Sequence, residues 1–447
     1  MFNSVNNFYY PVCFYNPQAY CRPYAYRIPP PIEQIPYEEW AKKYHTANIK
    51  VINNVSESFA WKKEFIASAE TSIELSANFA GGKDFIEILD LLKQKMKAKP
   101  RLRVHILLSE DLLEAKDRKR LIQLKKQFGN RFHYLITKVH AQILPFPQSK
   151  ENHVKMLVVD GKYFVMGGSG IHQRMTREKA PSKDMSKEIS SRIVRAVVAP
   201  CFRDTDLIGE GVTASIMRRH FFTLFHQWEL KTEDKKIKNR FFSIAGALRG
   251  TSYRFLEEPH MIYGAKIKFA SCGPNTPENN PITRLIVERI LKARRVIHIA
   301  NFLFNPHNSI KQALYLKKTC GIKTIGHFSG SQSRKLNHIF TLNNRYNYDL
   351  LSKAYEFTRP QCLYHKKVLT VDGIYGLIGS YNFGQKSALG DNEIAIQIKD
   401  PRAVAQINQG LQEDIAESIE LTGPKLTNLY YKVTGAPFVY VLSPLIA

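Results

Sequence analysis

Acidic residues are in short supply. Across 447 residues, 39 Asp and Glu stand against 65 Lys and Arg, a formal charge of +26. Such a field favours anionic partners, whether nucleic acid, acidic lipid headgroups or phosphoesters, and does not choose among them. Cysteine is sparse as well. The six are Cys13, Cys21, Cys201, Cys272, Cys320 and Cys362, scattered and with no C-x-x-C pair. That argues against a zinc site and a disulfide framework and suits a reducing compartment. No run approaches the roughly 18–20 apolar residues of a membrane span. No charged start followed by an apolar core marks a secretory signal. Any contact with a bilayer is therefore expected to be peripheral, for a cytoplasmic or membrane-surface protein, with signal-less export left open. Residues 1–47 lack any helix or strand period. Phe8, Tyr9, Tyr10, Phe14, Tyr15, Tyr20, Tyr24 and Tyr26 interleave with Pro11, Pro17 and Pro23, and proline blocks both periods. This N-terminal arm reads either as an extended segment on the body or as an interfacial one.

The remaining length suits two domains. Helical stripes alternate with short apolar strands, the α/β signature. In the first half, helices are expected over Ala60–Ala69, Lys83–Lys97 and Lys116–Lys126, and strands over Ser72–Asn78, Leu102–Leu108 and Phe132–Val139. Met217, Phe221, Leu224, Phe225 and Trp228 mark a closing helix. Residues 231–240 are charged and form the best linker. The second half repeats the plan, with a helix through Ile282–Ile290, a strand at Val296–Phe302, a helix ended by Cys320-Gly321, a strand at Ile322–His327 and a helix at Asn343–Lys353. The stripe Val404, Ile407, Leu411, Ile415, Ile419 mirrors the 217–228 helix. The domains read as 48–230 and 241–447.

One stretch repeats in register. Tyr364-His365-Lys366-Lys367 leads through Val368–Val371 to Asp372-Gly373 and then Gly379-Ser380-Tyr381-Asn382. His153-Val154-Lys155 leads to Asp160-Gly161 and Gly167-Gly168-Ser169-Gly170. The pairs 365 and 153, 367 and 155, 372 and 160, and 379 and 167 each differ by 212. Each copy reads as a strand carrying His and Lys on one face and ending in an Asp-Gly hairpin turn. Two copies of one unit make a two-lobed protein.

H-x-K-x-x-x-x-D twice, each followed by a glycine-rich turn, resembles the phospholipase D superfamily. The order and length are most similar to its two-domain bacterial phospholipase D and cardiolipin synthase branch. The resemblance covers roughly residues 50–425. It implies two tandem α/β/α sandwich domains related by a pseudo-twofold axis, with the active site at their interface. His153 and His365 then meet across the axis. One forms a phosphohistidine, which family members usually place in the first half, hence His153. The other serves as acid and then base. Arg203-Asp204 resembles the family's Arg-Asp element and stands where the second half has Glu393. These positions differ by 189, so the first half carries 23 extra residues, within 171–202 and rich in Arg and Lys.

A phosphodiester needs a nucleophile, a proton for the departing alkoxide and neutralisation of growing negative charge. Imidazole supplies the first two. Lys155 and Lys367 clamp the phosphate oxygens, so no metal or other cofactor is expected. Asp204 and Glu393 fix the tautomer of a histidine. Asp160 and Asp372 begin their turns and are expected to be structural. Asn382, Ser380 and Ser169 are candidate phosphate ligands. The family's Asn, seventeen residues after the histidine, is present as Asn382 but replaced by Gly170 in the first half, where Ser169 or water is the substitute. The expected function is hydrolysis or transfer of phosphatidyl groups, with phospholipid at an anionic membrane surface as partner. A nuclease of the same superfamily, gripping nucleic acid, is the alternative, and a non-catalytic lipid- or phosphate-binding protein is a third reading.

Overall fold

The computed structural model describes residues 43–138, 140–142, 148–179, 199–231, 258–274, 280–330 and 337–437. The arm up to residue 42, the linker at 232–240 and positions 180–198 of the expected insertion lie outside the described residues.

The first half runs β1 (His45–Ile52), α1 (Val55–Ser68), β2 (Ser72–Ala77), α2 (Gly82–Ala98), β3 (Arg103–Ser109), α3 (Ala115–Phe128), β4 (Phe132–Thr137), a short ribbon of β5 (His140–Gln142) and β6 (Gln148–Lys150), β7 (Met156–Val159), β8 (Tyr163–Gly167), β9 (Cys201–Arg203), β10 (Asp206–Gly211) and α4 (Val212–Lys231). The second runs β11 (Ile262–Cys272), α5 (Pro281–Lys292), β12 (Val296–Asn301), α6 (Asn308–Thr319), β13 (Lys323–Ser329), α7 (Asn337–Arg345), β14 (Lys353–Phe357), β15 (Cys362–Tyr364), β16 (Lys367–Val371), β17 (Tyr375–Gly379), α8 (Gln385–Leu389), β18 (Glu393–Lys399), α9 (Pro401–Ile415), β19 (Ser418–Leu421) and α10 (Leu429–Pro437). Local signals set many of these boundaries. Asn54 accepts from the N–H groups of Ser56 and Glu57 to start α1. Asn280 and Asp400 each cap a helix whose first residue is proline, a position where the missing N–H costs nothing. Gly321 takes φ 77° just past α6, as expected.

The two halves join through one continuous sheet, ordered β19-β14-β13-β12-β16-β17-β18-β11-β1-β10-β8-β7-β2-β3-β4. The seam is the antiparallel pair β1–β11. On either side of it the same sequence of antiparallel and then parallel strands recurs, which is the pseudo-twofold arrangement. One apolar cluster, with Ile49, Met156, Phe221 and Trp228 from the first half and Ile267, Ile378, Ile396 and Leu411 from the second, spans the seam. Among the described residues no helix is long and apolar enough to cross a membrane.

Three expectations change. The helix expected at Asn343–Lys353 ends at Arg345. The asparagines beyond its stripe serve the loop, where Asn344 accepts from the Phe304 N–H and Asn347 donates to the Phe304 carbonyl. Ile419 leaves the closing helix for the edge strand β19, because α9 stops at Ile415. Strand β1 opens at His45, within the span assigned to the arm.

The Asp-Gly turns form as read. Asp160, Gly161, Asp372 and Gly373 all have φ between 55° and 74°, the left-handed pair that a type I′ turn requires. Asp160 accepts from the N–H groups of Glu70, Thr71 and Ser72. Asp372 accepts from those of Arg294, Arg295 and Val296. Each carboxylate thus ties its hairpin to the strand beside it.

Candidate active site

The histidines sit just outside the strands, not on them. Strands β7 and β16 begin at Met156 and Lys367. The chain entering each histidine leaves its own sheet and pairs with the other half. Strand β15 runs parallel to β9, with Tyr364 opposite Arg203, and the His365 N–H donates to the Arg203 carbonyl at 2.8 Å. In the same manner Asn152 bridges Asn392, and the His153 N–H donates to the Asn392 carbonyl at 3.1 Å. Arg203 and Asn392 are the residues immediately before Asp204 and Glu393. Each histidine is therefore delivered to the carboxylate of the opposite half. His365 Nδ1 lies 2.7 Å from Asp204 Oδ2, and His153 Nδ1 lies 3.0 Å from both oxygens of Glu393. The sequence repeat identifies these carboxylates as equivalents but not which histidine each one holds.

Sheet register supports the counting. Gly379 pairs with Ala395 and its counterpart Gly167 pairs with Asp206, an offset of 189 on that strand. Asp204 and Glu393 are thus related positions. The lysines are related too: Lys155 Nζ donates to the His153 carbonyl at 3.0 Å and Lys367 Nζ to the His365 carbonyl at 2.6 Å.

Burial governs the charges. It holds both histidines well below the ordinary imidazole range, with Lys155 the next cause at His153 and Lys367 at His365. Lys155 and His153 also depress His365 through charge, so the two half-sites sense one another. Desolvation brings Lys367 down to about 7 and Lys155 to about 8, against the pull of Asp204 and Glu393 respectively. It raises Asp204 to about 7, opposed chiefly by Lys367, and Glu393 to about 7, opposed chiefly by Lys155. A carboxylate touching an imidazole shares its proton with it, so each pair, not each group, titrates near neutrality.

Two of the three candidate phosphate ligands already hold carboxylates. The Ser380 hydroxyl donates to Glu393, as does Ser387 at 2.5 Å. The Ser169 hydroxyl donates to Asp206 and accepts from Lys62 Nζ at 2.7 Å, so it belongs to a buried network with Ser58. Asn382 is buried, and its Oδ1 has no hydrogen-bond partner among the described residues. At Gly170 a Cβ would lie 2.5 Å from the Phe79 carbonyl and 2.6 Å from Met175 Sδ. The space that an asparagine needs is filled. Gly170→Asn is accordingly expected to lower the melting temperature and to leave activity unimproved, measured by thermal denaturation and turnover of the same preparation. Within the insertion Arg174 is buried, not on a surface loop, and Glu178 reaches back to the Val55 N–H and to Arg203.

The surroundings of the two histidines differ between halves. Around His365 stand Phe202, Phe302 and Phe79, with ring centroids at 5.3, 5.5 and 6.4 Å. They continue into an apolar cluster with Leu112, Met175, Leu303, Phe340 and Leu363. Beside His153 the wall is polar. Glu151 pairs with Lys386 at 2.5 Å across the halves, Lys386 with Asp391 at 3.6 Å, and the Asn78 amide donates to Glu151. Sequence comparison of the two copies misses Glu151 and Lys386, because the first is matched by apolar Leu363 at the offset of 212. A signal for Asp414 existed. It falls one step beyond Val404, Ile407 and Leu411 on a buried stripe, where a carboxylate needs a partner.

The family model described as cardiolipin synthase, PLD-like domain matches residues 286–415. A curated relative, "Probable cardiolipin synthase YwiE" of Bacillus subtilis, is 23% identical over 389 residues, covering 84% of this chain and 67% of that protein. The crystal structure of phosphatidylserine synthase from Haemophilus influenzae Rd KW20 aligns with a TM-score of 0.62 over 92% of this chain and 98% of that one, at 13% identity.

Proposed function

We propose that this chain, which belongs to the phospholipase D superfamily, transfers or hydrolyses phosphatidyl groups through a covalent phosphohistidine. The observation that carries the reading is the crossed pair of imidazole–carboxylate contacts, His153 with Glu393 and His365 with Asp204. Each imidazole spends Nδ1 on its carboxylate and keeps Nε2 for phosphorus. In the first step His153 Nε2 bonds to phosphorus, the bond to the departing alcohol breaks, and the proton on His365 goes to the departing oxygen. In the second, the incoming alcohol or water gives its proton to His365, and its oxygen displaces His153. Lys155 and Lys367 neutralise the equatorial oxygens, the task other phosphotransferases give to a metal. The assignment of His153 as nucleophile follows the family resemblance.

Phospholipid is the preferred substrate class. The apolar wall at His365 suits the glycerol and acyl portion of a lipid, and the names of both relatives point the same way. The test is incubation of the purified protein, with chelator, with phosphatidylglycerol, phosphatidylcholine and single-stranded DNA. Release or exchange of a phosphatidyl product supports the proposal. Cleavage of DNA alone transfers the reading to a nuclease, and loss of activity on chelation contradicts the metal-free mechanism.

The pH dependence follows from the pairs. Turnover needs one pair without its extra proton as nucleophile and one with it as acid. Below about 7 both take up the proton, and above it both lose it. On the alkaline side Lys367 and Lys155 also lose charge, through about 7 and about 8. The expected kcat/KM profile is a bell centred near neutrality, with KM rising on the alkaline limb as the clamp weakens. A flat profile over about pH 6–9 contradicts this.

A further inference from the structure

Behind His365 lies a charged cluster centred on Asp414 of the closing helix α9; the ions of the His153 half-site, Lys386 with Glu151 and Asp391, sit elsewhere, on and beside α8. Asp414, buried on α9, accepts from Arg203 Nε at 2.6 Å, Lys366 Nζ at 2.6 Å and the Tyr364 hydroxyl at 3.1 Å. Tyr364 and Lys366 flank His365, and Arg203 precedes Asp204. One carboxylate thus grips both chains that form the His365–Asp204 pair, which come from opposite halves. The remaining donors are satisfied outward: Arg203 reaches Glu178 at 3.3 Å and Glu413 at 3.0 Å, and Lys366 also reaches the Gly410 carbonyl at 3.3 Å.

The other half-site is an internal comparison. At the offsets of 212 and 189, Lys366 corresponds to Val154, Tyr364 to Asn152, Asp414 to Phe225 and Arg203 to Asn392. There the closing helix α4 reaches its cross-partner through a neutral bond, Trp228 Nε1 to Asn392 Oδ1 at 3.1 Å. Val154 and Phe225 lie in the apolar cluster that spans the seam. The fold therefore does not require ions at these positions, and burying them carries a desolvation cost that apolar residues avoid. What ions at these particular positions add is fixed geometry at His365.

We infer that Asp414 is a positioning residue for His365, holding that imidazole where it hands a proton to the departing alcohol and takes one from the incoming alcohol. The inference rests on the function proposed above. His365 must align with two successive oxygens, and a misplacement of about 1 Å at such a group costs about 10²-fold. His153 has one bond to form at one atom.

The test compares Asp414→Asn with wild type on two esters, phosphatidylglycerol and phosphatidyl-p-nitrophenol. Nitrophenolate departs without needing a proton, so the first step on that ester bypasses His365. For Asp414→Asn the expected result is a fall of about 10²-fold in kcat on phosphatidylglycerol, with KM within about threefold and the nitrophenolate burst rate within about fivefold. Tyr364→Phe removes one bond and no charge, and keeps the test open if Asp414→Asn folds poorly. It should show the same selectivity with a fall of about three- to tenfold. Glu356→Gln breaks another buried pair, Arg345 Nε to Glu356 Oε1 at 2.6 Å, and should lower the melting temperature without distinguishing the esters. Equal losses on both esters, or no loss in folded protein, overturn the inference. Wild type inert towards both esters overturns the proposed function and this inference with it.

Discussion

His365→Ala should lose about 10²–10⁴-fold in turnover of phosphatidylglycerol, and His153→Ala should lose at least as much. The size follows from the separate task each ring is given. Both are buried, each is anchored through Nδ1, and Lys155 and Lys367 bond to the histidine carbonyls. The two variants should differ on a p-nitrophenyl ester. His365→Ala retains a nucleophile, so it should release about one nitrophenolate per enzyme and then stall. His153→Ala should release none. Both are read by stopped-flow absorbance on protein whose melting curve matches wild type. A steady rate in either variant means that another group does the chemistry.

Glu393→Gln should lower kcat by about 10²–10⁴-fold, a loss on the scale of a mis-set histidine tautomer. Glu393 accepts from Ser380, Ser387 and His153 at once. A carboxamide brings an N–H group to a place arranged only for acceptors. Either a serine loses its bond or His153 presents the wrong nitrogen to phosphorus. Asp204→Asn should be milder towards p-nitrophenyl esters than towards phosphatidylglycerol, because Asp204 acts through His365. Rapid-quench measurement of covalent intermediate formation separates the two. Equal behaviour of Glu393→Gln and wild type contradicts the crossed arrangement.

Much of this site was legible before coordinates. The Asp-Gly dipeptides demanded positive φ and delivered it. The offset of 212 marked the histidines and lysines, and the change to 189 marked Asp204 and Glu393, because a strand register survives an insertion upstream of it. The crossing was hidden. Nothing local in a sequence says that His153 will reach Glu393, since that depends on β9 and β15 pairing between halves. The seam strands β1 and β11 were missed for a related reason. They are long-range partners, and β1 adjoins a proline-rich segment with no period. The bonds of Ser169 to Asp206 and Lys62 were hidden, because proximity to the motif says nothing of partners so far away in sequence. Gly170 stands where the family has Asn, and the sequence did not reveal that Phe79 and Met175 fill the place of the missing side chain. Asp414 escaped because its counterpart is Phe225, and a repeat comparison discards what the copies do not share.

The most direct test is to locate the covalent bond. His365→Ala is mixed with bis(p-nitrophenyl) phosphate, quenched in alkali and digested, and the phosphorylated peptide is sequenced by mass spectrometry. This diester tests the chemistry whichever alcohol the enzyme prefers. A stable nitrophenylphosphoryl group on His153, formed in about one equivalent and absent from His153→Ala, is the expected result. Phosphorus on a different residue, or steady turnover with His153 unmodified, would mean that the two rings do not act on one phosphorus atom.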